Sequence, residues 1–116
     1  MTEKRTKSNV LEACVATARD LDGLVEYAAD SIVSKTIIDK PVGTITLFAF
    51  DAGQQLSEHT APYDAVVQGL DGRGRLTIAG RPVTVEAGQV VIMPGNVPPA
   101  VAAEGRFKMR LTMIRA

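Results

Sequence analysis

The sequence predicts an all-β domain, a sandwich or a barrel, over most of its length. Three observations carry this expectation. After residue 31, short β-branched runs follow one another to the end, glycine and proline separate them, and two runs alternate apolar with polar residues. Short strands at regular spacing with turn signals between them argue for a sandwich or barrel rather than βαβ units.

Residues 1–20 read as an N-terminal tail and 21–116 as the β domain. Within the tail, residues 1–9 are polar and charged. The segment NVLEACVATARDLDGL that follows offers Asn9 as a cap, with Val10, Leu11, Cys14 and Val15 near helical spacing, so a short helix is predicted there. The predicted strands are SIVSKTII, GTITLFAF, YDAVVQGL, RLTIAG, RPVTVEAG, QVVIMP and RFKMRLTMI. Leu76 and Ile78 alternate with Arg75 and Thr77, and Phe107, Met109, Leu111 and Met113 alternate with Lys108, Arg110 and Thr112. One face of each run should therefore look into a core or pocket. The segments LDGRG (70–74) and IAGRP (78–82) place glycine where a tight reversal needs positive φ, and EAGQ and MPGNVPP bound the next strand as turns.

Composition narrows the function classes. A chain of 116 residues is long enough for one domain with a real core. Thirteen basic and thirteen acidic residues cancel, so bulk charge selects neither nucleic acid nor an anionic membrane. Arg73, Arg75, Lys108 and Arg110 read as a solvated outer sheet face, and the five aromatics are too few for a base-stacking platform. No nucleic-acid or membrane partner is expected. Cys14 is the sole cysteine, which rules out an internal disulfide and fits a reducing compartment; it reads as a buried small hydrophobe. The basic start MTEKRTK precedes a stretch broken by Glu12, too mixed for a signal segment, so a cytoplasmic protein is expected. Phosphate-binding glycine loops, GxSxG elbows and CxxC pairs are missing from the sequence.

The stretch GQQLSEHTAPYDA, residues 53–65, holds His59, the sole histidine. Gly53 is followed by five residues and His59, with Gly72 further on; Gly88 is followed by five residues and Pro94. On these spacings the chain resembles the small single-domain cupins of the cupin 2 type over roughly residues 33–115. The resemblance implies a double-stranded β-helix, or jelly-roll barrel, with a short N-terminal extension. It also implies a metal shell of four ligands, and here this sequence departs from the pattern. The second histidine of the first motif falls on Ala61 and its acid on Ala65. In the second motif Asn96 stands for a glycine, Pro99 for the histidine and Ala103 for an asparagine. Only His59 keeps a ligand position, and about three protein ligands are usual for a catalytic ion. No cofactor is expected; a divalent metal would need ligands from unexpected places.

The pocket expected from the resemblance is bordered by His59, Tyr63, Gln68, Met93, Met109 and Met113. Strand parity turns residues 59, 61, 65 and 67 toward the barrel, and would turn Glu58, Asp64 and Gln68 away unless a bulge near Pro62 resets the register. The methionines read equally as adaptable core filling. His59 is the single catalytic candidate, as an acid-base group; its bland alternative is a neutral imidazole at the barrel mouth.

Two functions follow. One is a metal-poor cupin whose barrel binds a small apolar or weakly polar molecule, or whose pocket is vestigial. The other is a cupin-type enzyme, an oxygenase or isomerase, with an unconventional metal site or His59 as its acid-base group. The residues leave open whether the chain is an enzyme. A homodimer is the expected assembly, with the segment before residue 42 covering a sheet edge.

Overall fold

A computed structural model describes residues 9–57 and 60–115 of the chain. Among the described residues eight strands form: β1 (Ile32–Lys40), β2 (Gly43–Phe50), β3 (Gln55–Ser57), β4 (Ala65–Ile78), β5 (Arg81–Glu86), β6 (Val90–Met93), β7 (Pro99–Ala102) and β8 (Phe107–Ile114). All pairings are antiparallel, in the order β1-β2-β8-β4-β7-β3, with β5 and β6 also on β4.

Strand β4 makes this one curled sheet. Its first half pairs with β8 and β6, and its second half with β5 and β7, so it passes from one layer of the barrel to the other. The crossing is marked by a register shift between Gly69 and Asp71 and by Gly72 at φ +71°. A bulge bends a strand and strengthens its twist, and Gly72 has no room for a Cβ because the Arg106 carbonyl lies against it. The predicted turn LDGRG is therefore a bend inside one strand of 14 residues. The IAGRP reversal is a tight hairpin, with Ala79 at φ +53° and Gly80 at φ +79° between β4 and β5. Strands β3 and β7 were not among the predicted runs, and MPGNVPP leads directly into β7.

The inner faces of both layers meet in one core. Phe50, Val67, Leu76, Val85, Val101, Phe107 and Met109 are buried there, and the rings of Phe50 and Phe107 sit 5.9 Å apart, closing one end of the barrel.

The N-terminal segment differs from expectation. In place of a helix it forms two single 3₁₀ turns, Glu12–Cys14 and Asp22–Leu24. The reason lies at Asn9 and Leu11. The Asn9 carbonyl accepts from the Asp39 N–H, and the Leu11 N–H donates to the Ile37 carbonyl, so the backbone that would start a helix extends the sheet beside β1. Cys14 is half-buried rather than buried.

Residues 21–27 then strap the outer face of β2 and β8. Val25 is buried against Leu47 and Ala49, with Leu21, Leu24 and Tyr27 around it. This strap corrects the reading of Lys108 as solvated. Its side chain is 7% exposed, and its amine donates to the Asp22 carbonyl at 2.8 Å and lies 3.3 Å from the Asp22 carboxylate. Arg73 and Arg75 are exposed as expected, paired with Glu86 and Glu104. No helix among the described residues is long and apolar enough to cross a membrane.

Candidate functional site

Opposite the Phe50–Phe107 plug, the barrel opens into a cavity of about 310 Å³. The register stacks its wall in layers. Met113, Ala65 and Met93 lie side by side on β8, β4 and β6, and the small Ala65 leaves the space above it to the two thioethers. Deeper in, Leu111 and then the paired Phe48 and Met109 continue the wall toward the plug. Leu56, Pro99 and Val101 close the far side from β3 and β7, and Ala61, Tyr63, Pro94 and Val97 form the rim.

The rim is a built frame. The Asn96 N–H donates to the Ala61 carbonyl at 2.7 Å, and the Gly95 N–H donates to an Asp64 carboxylate oxygen at 2.8 Å. These bonds lock the 61–64 segment to the 94–96 segment. Asn96 takes φ +67°, a left-handed position that asparagine tolerates, where the motif has glycine.

Tyr63, Met93, Met109 and Met113 border the cavity. His59 and its neighbour Glu58 lie outside the described residues. Gln68 does not border it. Its side-chain oxygen accepts two bonds from the Arg110 guanidinium, Nε at 2.8 Å and Nη2 closer, on the outer face of the same sheet. The shift in β4 comes only after Gly69, so the parity from Ala65 to Gln68 is undisturbed and Gln68 faces outward. Phe48, Leu56, Pro94, Val97, Val101 and Leu111 line the cavity beyond the expected pocket residues. Leu56 and Val101 belong to strands too short for a visible period, whereas Pro94 and Val97 sit on loops.

The three positions that lost their donors all border this cavity: Ala61, Ala65 and Pro99. None carries a side-chain atom that could bind a metal, and among the described residues no group of three or more His, Cys, Asp or Glu side chains comes together. The described residues do not fit the metal shell of the motif. The tyrosine is the sole described polar side chain on the wall, and its hydroxyl has no hydrogen-bond partner among the described residues.

The perturbed titrating groups lie elsewhere, one in the strap and one just after β2. Burial, reinforced by a 2.6 Å bond donated to Asp71, pushes the Tyr27 phenol above its ordinary value. The Arg106 and Lys108 cations each lie 5.0 Å from the centre of its ring. Asp51 is held below the ordinary carboxylate value by the Asp30 N–H, with the Arg106 guanidinium as a second donor. Both groups tie the strap and the loops to the barrel wall.

Residues 46–115 match the Cupin_2 model, described as a cupin domain. Among solved structures the chain is similar to a conserved protein of unknown function from Streptococcus pyogenes, at 30% identity over 97% of this chain and 98% of that one, with a TM-score of 0.87. A cupin 2 conserved barrel domain protein from Leptotrichia buccalis is 41% identical over 81% of this chain, with a TM-score of 0.78; the matched part is 46% of that protein's length. A cupin superfamily protein from Desulfitobacterium hafniense superposes with a TM-score of 0.82 at 23% identity, covering 94% of this chain and 97% of that one. No curated protein matches the sequence. With the family model covering more than half of its residues and its eight strands curled as one antiparallel barrel, the chain belongs to the cupin family.

Proposed function

We propose that this cupin binds a small apolar or weakly polar molecule in its barrel, without a bound divalent metal. One observation carries the reading: the three positions that the family motif gives to metal donors are Ala61, Ala65 and Pro99, and all three border an apolar cavity open at the barrel mouth. Ligand pockets are commonly of this size and mostly apolar, with a few polar groups that fix orientation. Burying an apolar molecule there is favoured by the area it removes from water, and methionine side chains adapt to its shape.

Titration of the protein carrying ¹³C-labelled methionine methyls with neutral apolar alcohols tests this reading. Saturable shifts of the Met93, Met109 and Met113 resonances are expected. Unmoved resonances at the solubility limit of every alcohol would contradict it.

A homodimer in the cytoplasm completes the proposal. Its support is a row of residues across five neighbouring strands on the outer sheet face: Ile38, Ile45, Thr112, Val66 and Ile92. Ile92 is 61% exposed and Val90 beside it equally so. A second copy of the same sheet can cover such a mostly apolar row across five strands, whereas a small ligand cannot.

A further inference from the structure

From the cavity wall we infer the class of ligand: a neutral molecule of one or two aromatic rings that carries a single hydrogen-bonding group, held through Tyr63. The inference rests on the barrel being a ligand site and goes one step further. Size sets the first limit. The cavity of about 310 Å³ is about twice the volume of an engineered protein cavity that takes up benzene, which suits a fused pair of rings inside the barrel.

Charge sets the second limit. No acidic or basic side chain borders the cavity among the described residues, so a carboxylate or ammonium entering it would lose its water and gain no counter-ion from them. Such a loss is severe enough to select neutral molecules.

The wall also favours rings over chains. Three thioethers and the Phe48 ring surround the space, with Met113 and Met93 on either side of Ala65 and Met109 next to Phe48. Sulfur meets ring edges favourably, and rings meet one another edge to face, so an aromatic ligand gains contacts that an alkyl chain of equal area does not. Tyr63 on the rim supplies the one directional side-chain contact among the described residues. Its hydroxyl has no hydrogen-bond partner among the described residues and can pair with a ligand hydroxyl, carbonyl or ring N–H at the mouth while the rings lie inside.

Four probes test the inference on the full chain, read by methionine methyl shifts: 2-naphthol, naphthalene, 2-naphthoate and 1-decanol. The expected result is saturable binding of 2-naphthol and, more weakly, of naphthalene, with 2-naphthoate at least about tenfold weaker than 2-naphthol because its charge is desolvated. Tyr63→Phe is expected to weaken 2-naphthol about fivefold, the worth of one hydrogen bond, and to leave naphthalene unchanged. Equal or tighter binding of 2-naphthoate overturns the neutral class. Loss of both 2-naphthol and naphthalene in Tyr63→Phe, or of neither, overturns the role given to the phenol. Binding of 1-decanol alone overturns the aromatic class while leaving the barrel a ligand site, and silence from all four probes removes the ligand site and the inference together.

Discussion

At the scale of single residues, the rim of the barrel shows how little space separates the two loops that frame it. A Cβ placed on Gly95 would stand 2.9 Å from the Pro62 carbonyl carbon and the Tyr63 amide nitrogen, both backbone atoms that cannot swing aside. Gly95→Ala is therefore expected to push the loops apart, costing about 1–3 kcal/mol in urea denaturation and weakening any barrel ligand that touches Tyr63. An unchanged denaturation midpoint would mean that the rim is free to give. The same scale shows what the sequence could and could not say about the site. Strand parity turned Ala65 and Val67 inward and Gln68 outward, and the structure follows parity; Gln68 joined the expected pocket only through its nearness to the lost acid position. Its partner Arg110 lies on another strand 42 residues away, so the bond that holds Gln68 outward was invisible from local pattern.

At the scale of elements, the N-terminal segment, with its strap of residues 21–27, is where local pattern and structure differ most. Helical spacing around Val10 and Cys14 is a weak preference, and the unpaired edge of β1 offers the same backbone two bonds that a short isolated helix cannot match. Lys108 looked solvated because alternation reports which side of a sheet a residue faces and says nothing about what covers that side. The lysine stem packs under the strap while its amine holds Asp22. Lys108→Met keeps the stem and removes the amine. We expect it to lower stability by about 1–2 kcal/mol and to speed amide hydrogen exchange in residues 21–27, while exchange in β4 away from the strap keeps its native rank. Uniformly faster exchange throughout the chain would show that the strap is not a separate unit. The short strands β3 and β7 escaped notice for a related reason: three or four residues are too few to show a period, and Pro99 opens β7 where proline signals a turn.

At the scale of the whole molecule, the all-β barrel was legible because its long strands repeat a two-residue period and its glycines and prolines fall at motif spacing. Gly53 and Gly88 do occupy turns, at φ +85° and +86°. The order of strands was not legible, since β4 serves both layers and no local signal distinguishes a bend at Gly72 from a turn. The proposed dimer belongs to this scale. Light scattering over micromolar concentrations is expected to give twice the chain mass, and Ile92→Lys, which puts a charge at the exposed end of the row, is expected to shift the protein toward monomer without changing its fold. A monomer of native sequence at every concentration would remove the dimer and leave the barrel site untouched.

The central claim is that the barrel mouth has exchanged its metal shell for an apolar ligand wall. Elemental analysis of the protein purified without added metal tests it most directly. Transition metal well below one atom per chain is the predicted result, unchanged after incubation with divalent ions and desalting. One tightly held ion per chain would contradict the claim, because it would require a donor set that Ala61, Ala65 and Pro99 cannot supply.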